Sequence, residues 1–156
     1  MHLVERVLYR AAGTEGNNEQ GWRGYVVAII LFNVLGILLL FAIQKLQGVL
    51  PLNPQGFGAV PTPVVANTAV SFVTNTNWQS YSGETTMSHL TQMIGLTVQN
   101  YLSAATGLAV AFALLRGFAR REMATIGIFW GDMLRGTLYV LLPASFSFAV
   151  VLLAMR

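Results

Sequence analysis

Residues 67–79, NTAVSFVTNTNWQ, gather hydroxyl and carboxamide side chains between strongly apolar stretches, a chemistry suited to a monovalent cation. A cation leaving water needs its hydration shell replaced by oxygens, and backbone carbonyls with hydroxyl or amide oxygens do this without a carboxylate that would hold the ion too tightly. Thr74, Asn75, Thr76 and Asn77 offer that donor set as a filter. Ser71, Trp78 and Gln79 flank it as candidate support, the Trp78 indole N–H as a brace and Gln79 as an orienting amide. Glu19 is the one acidic residue between Asn17 and Glu84, so the carboxylate shells that calcium and magnesium favour are missing and potassium fits better. A polar loop that merely contains Asn and Thr is the competing reading.

Other chemistries fail on inventory. The histidines are His2 and His89, there is no cysteine, and the carboxylates are dispersed, so no metal-binding or nucleophilic constellation forms. No phosphate-cradling loop or phosphorylatable aspartate motif occurs, so the chain is expected not to be an enzyme. The formal charge of +3 is scattered among ends and loops rather than clustered, which argues against nucleic acid as a partner.

The elements that must hold the loop are apolar. Hydrophobic residues make up 54% and charged residues 10% of the chain, against about 25% charged in soluble domains. The expected fold is an all-α membrane protein: a span, a re-entrant pore helix with its filter loop, a second span, and one further transmembrane helix, in contact with lipid. Residues 1–23 mix charges through an amphipathic stretch around Leu3, Val4, Val7 and Leu8 and form an aqueous or interfacial segment. The pore repeat covers 24–116. Its first span, 24–46, is apolar except for Asn33 and Gly36, which share a face suited to close helix packing. The segment 47–63 is a loop, since four prolines and three glycines fall within the 18 residues Leu46 to Pro63. The pore helix, 64–73, is too short to cross a bilayer, so the chain leaves on the side it entered through the filter, 74–79. Irregular backbone at membrane depth is tolerated only where protein buries it or it lines a water-filled path.

One helix is expected over 84–116, with Ser82 or Gly83 at its cap and Glu84 at its positive end, then a loop 117–125 and a third membrane helix 126–156. Small residues Gly95, Ser103, Ala104 and Gly107 suit packing. Asp132 and Arg135, three apart, can pair, and Pro143 should kink the last helix. Residues 48–83 carry no Lys or Arg, whereas Arg116, Arg120 and Arg121 cluster together, so by the positive-inside rule the 116–121 loop is cytoplasmic and the filter loop periplasmic in a bacterial inner membrane.

The stretches NTNWQSYSGE and LTVQNYLSAATG, with ERVLYR, FNVLGILLLF and FWGDMLRGTLYVLLP, carry a resemblance across nearly the whole chain. It resembles the first pore repeat of the potassium-binding A subunit of bacterial Kdp potassium-transporting P-type ATPases. That resemblance implies a channel-like subunit that captures periplasmic potassium, transported rather than held as a cofactor. It also implies a P-type ATPase catalytic subunit and accessory Kdp subunits as partners, with ATP hydrolysis in the catalytic one. It places the first filter at Thr74 to Asn77 and implies that Gln79 affects potassium affinity and selectivity. Family members have a helix before this region and three more repeats after it, so one of four repeats is expected here. The alternative is a truncated or structural membrane segment without transport of its own.

Overall fold

A computed structural model describes residues 19–119 and 124–155. The N-terminal amphipathic stretch and the Arg120–Arg121 corner lie outside the described residues. The chain is an all-α membrane protein: Trp22–Leu46, Thr91–Ala119 and Phe129–Ala154 are each long and apolar enough to cross a bilayer. It divides into two compact units, Ile30–Ala104, and Met1–Ile29 with Ala105–Arg156.

Helix α1 runs Trp22–Leu46. Its 25 residues reach about 37 Å at 1.5 Å per residue. Within the unit 30–104, residue 36 is pressed against another span. A Cβ on Gly36 would lie 3.0 Å from the side-chain oxygen of Gln99, so any larger residue would require the Gln99 amide to give way. Helix α2, Thr62–Val73, starts two residues before the expected 64, because Pro63 falls in the first turn, where its missing N–H costs nothing. Leu40 of α1, Val60, and Val65, Ala69, Phe72 and Val73 of α2 form the core of this unit with Met87 and Leu96.

The helix expected over 84–116 is interrupted. A single turn, α3, covers Gly83–Thr86; Met87 is extended and Ser88 is not helical. Helix resumes at His89, passes through a π-helical stretch at Thr91–Thr97 and continues as α4, Val98–Ala119. The break is made by Gln47, fully buried, 41 positions from Ser88 in sequence. Its amide nitrogen donates to the carbonyls of Gly58 (2.7 Å) and Thr86 (2.9 Å), and its oxygen accepts from the Ser88 N–H (3.1 Å) and the Thr91 hydroxyl (3.2 Å). Ser88 Oγ then accepts the Thr91 N–H as a cap for the restarted helix. The π turn places Gly95 where an added Cβ would touch Leu40 and Ile43 at 3.4 and 3.5 Å. Gly107, expected to pack likewise, has nothing within 4 Å of such a Cβ.

In the other unit, Gln20–Gly21 (β1) pairs antiparallel with Thr125–Gly127 (β2), so the third span begins at Phe129 rather than at 126. Helix α5, Phe129–Gly136, passes through a π turn at Thr137–Leu141 into α6, Leu142–Ala154. The Leu142 N–H reaches the Thr137 carbonyl, so the chain is already in the wider register where Pro143 has no N–H to offer.

Asp132 is forked by Arg116 of the preceding helix, a partner that its helical spacing to Arg135 does not reveal. Arg116 Nη1 donates to Asp132 Oδ2 (2.8 Å) and to the Ile126 carbonyl (2.5 Å), while Nη2 bonds Asp132 Oδ1. The Tyr25 hydroxyl lies 3.0 Å from Asp132 Oδ2 and 2.7 Å from the Ala109 carbonyl. Three spans contribute one member each, all near helix ends, where a charge costs least in a bilayer. Gly127 makes room for the fork. Its φ is +117° and a Cβ there would fall 1.7 Å from Arg116 Nη1. Gly127→Ala therefore displaces the guanidinium and leaves a buried carboxylate half-paired, with an expected loss of about 3 kcal/mol. A fall in the midpoint of detergent-monitored unfolding checks this, with Gly107→Ala unchanged as the control.

Candidate functional site

A helix end leaves its last carbonyls without partners, and α2 ends inside the chain at Val73, with Thr74 at φ −83° and ψ 4°. The next residues turn back onto that end. The Thr74 N–H donates to the Val70 carbonyl (2.9 Å), the Asn75 N–H to Phe72 (3.3 Å), and the Thr76 and Asn77 N–H groups both to Ser71 (2.9 and 3.2 Å). The Trp78 N–H completes the set on Ser71 Oγ at 2.6 Å. Five successive amides therefore point one way, toward a single turn of helix.

The backbone achieves this by alternation. Asn75 and Asn77 have φ of +56° and +58°, while Thr74 is right-handed and Thr76 is not among the positive-φ residues. Succession of right- and left-handed residues turns consecutive N–H groups to one side, and the carbonyls go to the other. Among the described residues, no hydrogen bond is made to the carbonyls of Thr74, Asn75, Thr76 or Asn77. Asparagine tolerates the left-handed region because its short carboxamide makes local hydrogen bonds there, and the two asparagines do so with each other, Asn77 Nδ2 to Asn75 Oδ1 at 3.4 Å.

The hydroxyls run in series. Thr74 Oγ1 donates to the Val70 carbonyl at 2.9 Å and lies 2.8 Å from Thr76 Oγ1, which leaves lone pairs of both threonines available. All residues from Thr74 to Ser80 are exposed, beside a depression of about 450 Å³ lined by Asn67, Ser71, Thr74, Thr76 and Trp78. The negative end of the α2 dipole faces the same residues, which favours a cation.

Each expected residue now has a place. Thr74 to Asn77 form the carbonyl strand, and Ser71 is its anchor through both carbonyl and hydroxyl. Trp78 contributes its backbone amide, and its ring is 75% exposed. Gln79 lines a different depression, of about 320 Å³, with Tyr81, Glu84, Gln92 and Asn100. There the Ser82 hydroxyl, 2.6 Å from Glu84 Oε2, holds the Glu84 carboxyl below its ordinary range. Burial pushes the Tyr81 hydroxyl up to about 12, so it stays neutral. His89 lines a third depression with the 48–56 loop, which includes none of Thr74 to Asn77.

Ser103 was legible only as a small packing residue. Its hydroxyl, nearly buried, lies 3.3 Å from Asn75 Oδ1 and 2.9 Å from the Asn100 carbonyl. Its place among the polar residues Gln99, Asn100 and Thr106 at the start of an apolar helix was the available signal.

Over residues 1–155 the chain matches the family described as the potassium-transporting ATPase A subunit. It is 64% identical over 150 residues to the potassium-transporting ATPase potassium-binding subunit of Ralstonia nicotianae, covering 96% of this chain and 25% of that one. It is 63% identical over 148 residues to the subunit of that name from Chromobacterium violaceum (95% and 25%). For the one from Rhodospirillum centenum the figures are 60% over 149 residues (96% and 26%). The chain spans about a quarter of the length of these curated relatives.

If Ser71 Oγ fixes the exit of the strand, Ser71→Ala leaves the Trp78 amide without its acceptor. That amide should then exchange with deuterium about tenfold faster, while those of Thr74 and Thr76, bonded to backbone carbonyls, keep their protection. Hydrogen–deuterium exchange mass spectrometry reads both.

Proposed function

Because the chain belongs to the potassium-transporting ATPase A subunit family, we propose that residues 74–77 form one wall of a potassium filter in an ATP-driven uptake pump. The observation that carries the reading is the orientation of the strand. With its five amides bound to the end of α2, the four carbonyls between Thr74 and Asn77 are left as ligands. Carbonyl and hydroxyl oxygens without a carboxylate suit a large monovalent ion. In this reading the strand works with equivalent strands from other repeats, Gln79 tunes the field beside them, and a P-type ATPase subunit with accessory subunits supplies the energy. Potassium is then cargo, and the chain itself performs no hydrolysis.

The chain lies in the bacterial inner membrane, with the filter loop periplasmic and the 116–121 loop cytoplasmic. Support comes from charge, since residues 48–83 carry no Lys or Arg while Arg116, Arg120 and Arg121 stand together. A reporter fused after Arg121 should read cytoplasmic. A periplasmic readout reverses the topology.

A cation fixed at position 79, ~8 Å from a bound ion at an effective dielectric of ~20, opposes binding by about 2 kcal/mol. Gln79→Arg should therefore raise the external potassium needed for half-maximal uptake tenfold or more, measured with the assembled transporter in cells. Unchanged affinity would leave the chain as a structural membrane segment.

A further inference from the structure

Asn75 is the filter residue whose side chain reaches a second helix. Its Oδ1 is 3.3 Å from Ser103 Oγ and 3.4 Å from Asn77 Nδ2. Ser103, 4% exposed, has another acceptor nearer to it, the Asn100 carbonyl one turn back at 2.9 Å. A hydroxyl has one proton and two lone pairs, so Ser103 cannot donate fully to both. When its proton goes to the shorter bond, Ser103 Oγ meets Asn75 as an acceptor.

A carboxamide carries an oxygen at one end and NH₂ at the other, and a half-turn about its last torsion exchanges them within the same outline. Two hydrogen-bond states follow. In the first, Asn75 Oδ1 accepts from Ser103 and Asn77, and its NH₂ is turned outward. In the second, the Ser103 proton lies on the Asn100 carbonyl. The Asn75 NH₂ then donates to Ser103 Oγ and to an Asn77 amide turned likewise, and Asn75 Oδ1 faces outward. An outward NH₂ repels a cation, whereas an outward oxygen attracts one.

We propose that Ser103 is a positioning residue that switches the Asn75 carboxamide, so that an arriving monovalent cation meets a side-chain oxygen beside the carbonyl strand. This rests on the filter reading above. The switch makes no covalent change and moves no proton between molecules. It couples ion occupancy to a hydroxyl on α4, outside the filter loop itself.

The test is potassium uptake by the assembled transporter carrying Ser103→Ala, Ser103→Thr, Asn75→Ala and the Ser103→Ala/Asn75→Ala pair, with Gln79→Arg alongside. Losing one hydrogen-bond partner of the ligand should raise KM for potassium about tenfold in Ser103→Ala with the maximal rate unchanged. Ser103→Thr, which keeps the hydroxyl, should restore it. The double variant should be no worse than Asn75→Ala, because Ser103 acts through Asn75. If Ser103→Ala does not assemble, Ser103→Cys keeps the shape with a weak donor and should show the same rise. An unchanged KM in the Ser103 variants, a loss of maximal rate alone, or multiplicative effects at 103 and 75 overturns the switch. If KM still rises in Gln79→Arg, the filter reading survives that failure. If no variant changes KM, the filter reading falls with it.

Discussion

The end of α2 sets the terms for everything around it. A helix that stops inside a membrane protein leaves carbonyls that neither lipid nor a following turn of helix will satisfy, and each would cost several kcal/mol if left bare. Here the next five amides bend back to supply donors to Val70, Ser71 and Phe72. Satisfying the helix end and presenting free carbonyls are thus one event, since a peptide plane that turns its N–H inward turns its C=O outward. Left-handed asparagines at 75 and 77 make the alternation possible. A β-branched residue at either position would oppose it by about 1–2 kcal/mol.

A strand so organised needs a scaffold that does not drift, and the unit 30–104 provides it through one long-range amide and two close approaches. Gln47 ties the 47–63 loop to the break at residues 87–88 by four hydrogen bonds, and Lys45 Nζ reaches the Val60 carbonyl and the Thr62 hydroxyl where α2 begins. Gly36 lets Gln99 lie against α1, and Gly95 lets the π stretch lie against Leu40 and Ile43. Without a hydrophobic driving force between helices in lipid, such close contacts and buried amides hold them together. The other unit follows a different logic, with an Arg116–Asp132 fork, a tyrosine hydroxyl and a glycine cleared for the guanidinium.

What sequence reading reached and what it missed divide along the range of the interactions. The spans follow from apolar length, and the short helix before Thr74 follows from its prolines and its ten or so apolar residues, all properties of contiguous residues. The hydroxyl and carboxamide side chains of Thr74 to Asn77 are visible by composition, but the alternating backbone that turns their carbonyls to one side is not. The break at residues 87–88 was not, because GETTMSHL reads as helix until Gln47, far away in the chain, claims its backbone. That Asp132 and Arg135 can pair is visible in sequence, because helical spacing is local. The fork from Arg116 depends on the Ile126 carbonyl that shares its guanidinium and on a left-handed Gly127, neither of which spacing encodes. The anchoring hydroxyl of Ser71 and the reach of Ser103 depend likewise on which way a helix face turns.

Four carbonyls in a row still make only one side of a coordination shell. A weakly hydrated cation surrounded by water exchanges its shell only when oxygens close around it from several directions, and a single strand contacts it from one. Every residue from Thr74 to Ser80 is exposed, and oxygens directed away from their own helix are left to an ion, water or an equivalent strand. The α2 dipole adds a favourable potential, but a potential that fades within about a turn of the helix end cannot by itself dehydrate an ion. In the proposed reading, selectivity resides in how firmly the oxygens of such a strand are aimed. That firmness traces back through Ser71 to the last turn of α2, and through Gln47 to the loop that sets where α2 begins.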